Sequence, residues 1–264
     1  MMNWSPDRYL GFHDLRLRPA LDLMGRISMT PPRTIVDLGC GPGNVSALLL
    51  QRWPDADLTG VDQSTEMLER ARAEIPRAQW VEADISCWYP DVAVDLLFSN
   101  AALHWVGDHP ALFARLAAML GAEGVLAVQM PANFSAPSHR LIRELAASSE
   151  WAGVFEGVRM GEVLEPDAYQ SLLSAHFGEV DLWETSYYQR LSGEHAVFEW
   201  LAGSTLVPYF DRLSEAQTRA FVSGLKPMLA SVYPVRPDGS VLFPFKRLFM
   251  LARGPVHRVP RETC

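Results

Sequence analysis

Val36-Asp37-Leu38-Gly39-Cys40-Gly41-Pro42-Gly43 is the stretch on which the fold turns. It completes a short apolar run, 33–38 (RTIVDL), bounded by Pro31-Pro32 on one side and Gly39 on the other. Such a run predicts a buried strand. The glycines predict a tight turn, and Val45 to Arg52 reads as the helix that follows. Glycine lets the backbone come close to a ligand, and a helix start offers unpaired N–H groups. Dinucleotide sites carry G-x-G-x-x-G after an apolar strand. Here the third glycine comes one position early and an acid, Asp37, sits inside the strand end. Both features argue against a nicotinamide-dependent dehydrogenase.

Outward from this turn, strands and helices alternate. Residues 58–62 (LTGVD), 79–83 (QWVEA), 94–98 (VDLLF) and 125–130 (VLAVQM) read as further strands. Ser64-Thr65 caps a helix over Met67 to Ala73, and His109-Pro110 opens another over Ala111 to Leu120, ended by Gly121. This rhythm implies right-handed crossovers and a parallel sheet. Residues 135–178 read as mostly helical, and 179–188 and 241–251 as two last strands. The expected fold is α/β: a doubly wound, mostly parallel seven-stranded sheet with helices on both faces. Residues 1–253 are expected to form a single domain, with a lid-like helical segment at 1–30 and a helical insertion at 193–237 over the substrate site. Residues 254–264 read as a loose tail.

Asp62 ends the second strand, where a carboxylate can accept from both hydroxyls of a ribose. Asp84 follows the third, where an acceptor can take an adenine amino hydrogen. With Asp37, these acids stand at the carboxyl ends of three strands and line one crevice, the switch point of an open sheet. At these residues the chain resembles the class I S-adenosylmethionine-dependent methyltransferases. Asp37 and Gly39 to Gly43 match their first motif, Asp62 the ribose acid, Asp84-Ile85 the adenine motif. Asn100 matches the position whose backbone faces the methionine moiety. S-adenosylmethionine is therefore the expected cofactor, and Cys40, Asn44, Gln63 and Met67 complete the candidate set around it.

The likeness extends beyond this core. Trp4-Ser-Pro with Tyr9, Arg18-Pro-Ala20, Val81 to Asp84, Leu103-His-Trp105, Val125 to Pro131, Tyr187-Tyr188 and Arg247-Leu-Phe249 resemble the trans-aconitate 2-methyltransferase family. His104, where that family is expected to allow Gln, and the tail beyond Arg253 depart from it. The resemblance implies a methyl ester formed on a carboxylate of a small tricarboxylic acid. An ionised carboxylate needs no general base, so no obligatory catalytic residue is expected; His104 and Trp105 would border the reacting end.

Other residues allow two readings each. Arg247 lies on an apolar row with Phe243, Phe245, Phe249 and Leu251. A charge there is either a structural salt bridge or a clamp for a substrate carboxylate. Tyr187, Tyr188 and Tyr233 are either core aromatics or hydroxyl donors to the acid. Asn3 to Arg18, with Trp4, Tyr9 and Phe12, is either a helix on the sheet edge or a lid whose Arg18 reaches a ligand. Methylation of another carboxyl acceptor, such as a carrier-bound malonyl group, is an alternative reading, as is a cofactor-binding module without catalysis.

Composition narrows the classes. The net charge is −8, and no basic run offers a nucleic-acid surface. Only Lys226 and Lys246 are lysines, so anion-binding cations should be arginines. No apolar stretch is long enough to span a membrane, and Met1 to Asp22 is too charged for a signal-peptide core. Cys40, Cys87 and Cys264 are few and far apart, which predicts neither a disulfide framework nor a metal site. A cytoplasmic monomer acting on a small polycarboxylic acid is the expectation.

Overall fold

The computed structural model describes residues 17–203 and 205–256. Its strands are β1 Thr34–Leu38, β2 Asp57–Asp62, β3 Gln79–Glu82, β4 Val94–Asn100, β5 Leu120–Pro131, β6 Phe177–Ser192 and β7 Ser240–Pro255. Its helices are α1 Arg18–Arg26, α2 Asn44–Arg52, α3 Thr65–Glu74, α4 His109–Met119, α5 Pro137–Ala146, α6 Pro166–Ser174, α7 Ala196–Ala202, α8 Val207–Phe210 and α9 Glu215–Val232. The seven strands are ordered β3-β2-β1-β4-β5-β7-β6. β3, β2, β1, β4 and β5 pair in parallel, and the sheet ends in an antiparallel pair. The chain order reverses at β1, where β2 and β4 flank it.

The sequence predicts one domain over 1–253; the chain packs instead as two compact units. Among the described residues, the first takes in 17–130, 163–185 and 248–256; the second takes in 131–162, 186–203 and 205–247. The second unit is therefore larger than the insertion expected at 193–237, because the segment after β5 belongs to it as well.

In the first unit the central strands are covered on both faces. Leu96, Leu97, Phe98, Ala127 and Val128 are fully buried, which is why these strands are continuous apolar runs without alternation. Helix ends are set by local chemistry. Ser64 accepts from the Met67 N–H to start α3, and Asp108, at φ 48°, accepts from the Ala111 N–H to start α4. The His109 ring bonds the hydroxyl of the fully buried Tyr169 at 2.5 Å, joining α4 to α6. Arg52 donates to the Met24 and Ile27 carbonyls, which ties α2 to the end of α1. β5 starts at Leu120, five residues earlier than the sequence suggests, with a register shift between Val94 and Leu96.

In the second unit, Phe221, Leu225 and Leu229 of α9 form an apolar cluster with Ile142, Leu201 and Phe243. A capping box of Ser214 and Gln217 starts α9. The loose tail predicted from Gly254 is corrected at its start. β7 runs to Pro255, and the Val256 N–H bonds the His176 carbonyl at 2.8 Å, so ladder hydrogen bonds hold these residues. Tyr9, with the rest of 1–16, and residues 257–264 lie outside the described residues.

Candidate active site

The site is built from the turn after β1. Gly39, Gly41 and Gly43 have φ of 72°, 53° and 84°, a region that L side chains rarely enter. The Gly39 and Cys40 N–H groups donate to the Val61 carbonyl, which ties the turn to β2. A Cβ on Gly39 would lie 2.1 Å from the Ala102 Cβ, so the turn also abuts the segment after β4. At Gly41 a Cβ would meet nothing within 4 Å. The backbone there faces open space.

Around it lies a cleft of about 490 Å³, lined by Gly39, Asp62, Gln63, Asp84, Ile85, Ser86, Ala101, Ala102, Trp105, Val106 and Gly107. These residues follow the carboxyl ends of β1 to β4, where open α/β sheets take ligands. A larger groove of about 800 Å³ opens at the other strand ends, beside Thr34, Asp57 and Gln79. The dipoles and free N–H groups of the crossover helices are directed at the smaller cleft, so it is the candidate site.

Three acids have three different environments. Asp62 accepts from the Gly41 and Ser64 N–H groups, each at 2.9 Å, which aims its carboxylate along the cleft wall with lone pairs to spare. Asp84 is exposed; it accepts from the Ser86 N–H at 2.7 Å, and that bond holds its carboxyl below the usual range. Asp37 does not line the cleft. It is 1% exposed, and the Ser46 hydroxyl donates to it at 2.6 Å. Burial pushes its carboxyl up to about 7, against the opposing pull of the Ser46 bond and with a small addition from the Asp62 charge. Asp37 therefore braces the turn from within the fold.

Of the other predicted cofactor residues, Gln63 and Ile85 line the cleft. Cys40 points inward: it packs with Leu68, Ala71 and Trp80, and burial raises its thiol well above the ordinary range. Only its backbone belongs to the turn. Gly43 and Asn44 start α2, and Met67 contributes a backbone N–H to the cap of α3. Asn100 ends β4, with its Oδ1 buried and without a hydrogen-bond partner. In the short 3-10 turn Leu103–Trp105, His104 is buried while Trp105 is half exposed on the cleft wall, their rings 4.7 Å apart. Arg18 is exposed at the start of α1.

The remaining candidates lie in the second unit. Arg247 is buried, with its guanidinium 4.3 Å over the Phe245 ring. The tyrosine pair is split: Tyr187 is buried and Tyr188 is 66% exposed, because adjacent strand residues face opposite ways. The Tyr233 hydroxyl accepts from the Ser138 N–H at 3.2 Å and the ring meets Phe243 edge-on, so this residue serves the fold.

Sequence reasoning missed Ala101 on the cleft wall and two residues that support the site from behind. Ala101 has φ 56°, an unusual backbone state for alanine beside a cleft, and no residue type announces it. Arg115 of α4 donates to the Ile85 and Ser86 carbonyls, fixing the loop after β3. Ser46, the partner of Asp37, was legible only as a polar residue on an apolar helix face.

Sheet order, glycine turn and cleft acids together define a class I methyltransferase, the class that takes its methyl group from S-adenosylmethionine. A family model described as a methyltransferase domain matches residues 35–124. The chain is 42% identical over 257 residues to the trans-aconitate 2-methyltransferase of Methylobacterium radiotolerans, covering 96% of this chain and 99% of that one. It is 44% identical over 253 residues to that of an Azoarcus species, with the same coverage. The chain belongs to the trans-aconitate 2-methyltransferase family. Among solved structures it is similar in fold to the YcgJ protein of Bacillus subtilis, at 14% identity and a TM-score of 0.59, covering 92% of this chain and all of that one. Among the described residues no helix is long and apolar enough to cross a membrane, and no cluster of His, Cys, Asp and Glu could hold a metal ion.

Proposed function

We propose that this protein transfers a methyl group from S-adenosylmethionine to one carboxylate of trans-aconitate, forming a methyl ester. The observation that carries this reading is identity of 42% or more to curated trans-aconitate 2-methyltransferases over almost the whole chain. The cleft supports it, since its residues fit the methyl donor. Open space at Gly41 admits a ligand against the backbone, Asp62 can accept from two ribose hydroxyls, and Asp84 with Ile85 suits an adenine. The donor supplies a methyl group already activated on a positively charged sulfur.

The protein's part is then alignment. The acceptor is ionised at neutral pH, because a carboxylate loses its proton near pH 4. No side chain has to take a proton. The chain holds the acid so that its oxygen lies in line with the methyl group, and it keeps water out; such positioning can supply roughly 7–11 kcal/mol of the barrier. His104 and Trp105 border the reacting end. Arg247 and Tyr187, in the second unit, are candidate carboxylate-binding residues. The protein is placed in the cytoplasm, where separated cysteines stay reduced, and is taken to act as a monomer.

The test is incubation with a donor labelled in its methyl group and a panel of di- and tricarboxylic acids, with a malonyl-carrier conjugate as a further arm. Label should enter trans-aconitate and be released by mild alkali, as an ester is. No labelled acid, alkali-stable label, or preference for the carrier conjugate would refute this function.

A further inference from the structure

Gln129, near the end of β5, is a fully buried primary amide, and neither its Nε2 nor its Oε1 has a hydrogen-bond partner. Buried polar groups are nearly always paired, because an unpaired amide loses its water and gains nothing in return. Its neighbours explain where the missing partner belongs. Gln129 is in register with Asn100 of β4, so the two share a face of the sheet, and the Asn100 Oδ1 is also buried and unpartnered. The Gln129 carbonyl accepts from the Ala101 N–H at 2.9 Å, and Ala101, at φ 56°, lines the cleft. An unsatisfied amide, a second unpaired amide oxygen and a strained backbone thus meet at the carboxyl ends of β4 and β5. Strain and unmet hydrogen bonds persist where they serve a ligand.

We propose that Gln129 is a substrate-positioning residue whose side-chain N–H groups donate to the carboxylate that accepts the methyl group. The proposal rests on the function proposed above. Its chemistry suits that reaction. A cation beside the attacking oxygen would hold the lone pair that must form the new bond, whereas a neutral amide orients the oxygen and leaves it nucleophilic.

The test compares wild type, Gln129→Met and Gln129→Glu. Methionine matches the length of glutamine and brings no unpaired amide into the core. Gln129→Met should melt at or above the wild-type temperature and bind the methyl donor within twofold by calorimetry. Its kcat/KM for trans-aconitate should fall at least tenfold. Gln129→Glu should lose more at pH 8 than at pH 5, because only a protonated carboxyl can donate, whereas the wild-type profile lacks that recovery. A Gln129→Met enzyme with kcat/KM within twofold of wild type overturns the proposal. A lower melting temperature or weaker donor binding does so as well, since the amide would then serve the fold or the cofactor. Wild-type enzyme that methylates no acid refutes the function itself and this assignment with it; wild-type turnover with an equally active Gln129→Met refutes only the assignment.

Discussion

At the residue scale, equal acids do unequal work because their surroundings differ. Asp62 holds two backbone N–H groups in the cleft wall, yet an ionised carboxylate can accept more. Asp62→Ala removes its bonds to a ribose, and hydrogen bonds to charged groups contribute about 1.5–3 kcal/mol each. Donor affinity should drop at least tenfold, since 1.36 kcal/mol is one decade; calorimetry giving an unchanged Kd would contradict the placement. Asp37 behaves differently. Its carboxyl titrates from an ordinary value of 3.8 up to about 7 in the fold, because burial disfavours the charge. The folded state therefore keeps a proton that the unfolded chain gives up. Wild-type stability attributable to Asp37 is full below pH 4, falls as pH rises to about 7, and is level above that. The full change corresponds to on the order of 4 kcal/mol. Asp37→Asn should thus gain melting temperature over wild type as pH is raised from 4 to 8. A difference that stays constant with pH in scanning calorimetry would refute the buried-acid account.

At the element scale, the glycine turn separates two demands that look alike in sequence. Gly39 is needed for packing: a methyl group there collides with Ala102. Gly41 has room for one, so apart from its φ of 53° no contact within the protein requires a glycine there. Gly41→Ala strains a left-handed residue by roughly 1–2 kcal/mol, so its melting temperature should fall only a few degrees while donor affinity collapses. Gly39→Ala should melt markedly lower than Gly41→Ala, as the turn and the segment after β4 must separate. Equal melting temperatures, or a Gly41→Ala protein that binds donor normally, would sink this division of labour. Tyr187-Tyr188 carries a similar lesson. Side by side in sequence, the two residues are divided by strand geometry into one buried and one exposed side chain.

At the scale of the whole molecule, the proposed chemistry asks for no proton transfer. The single-turnover rate should be flat from about pH 6 to 9 with trans-aconitate, because the acid is ionised throughout. A tenfold rise per pH unit, measured by rapid quench, would reveal a general base and overturn alignment as the main source of rate. Much of the molecule was legible beforehand. The strands of the sheet, the turn at Gly39 to Gly43 and the acids Asp62 and Asp84 are local patterns, and local patterns survive any packing that buries the apolar runs. The start of β5 was misplaced, because Gly121 and Gly124 look like a loop; Leu120 pairs with Val94 before them, and the ladder resumes at Val125 after a register shift.

What the chain alone determined is the frame: period, punctuation and the spacing of acids after strands specify a doubly wound sheet with an acidic crevice, and the family resemblance of those residues implies S-adenosylmethionine. What only the tertiary structure decided is which side chains face the cleft. Asp37 and Cys40, which looked like cofactor ligands in sequence, turn into the core, and Tyr233, which the sequence left open between a core and a ligand role, meets the Ser138 backbone. Gln129, invisible as one polar residue in an apolar strand, becomes the amide without a partner. The physical reason is that hydrophobic periodicity specifies a face, whereas hydrogen-bond satisfaction depends on neighbours far apart in the chain, which only packing brings together.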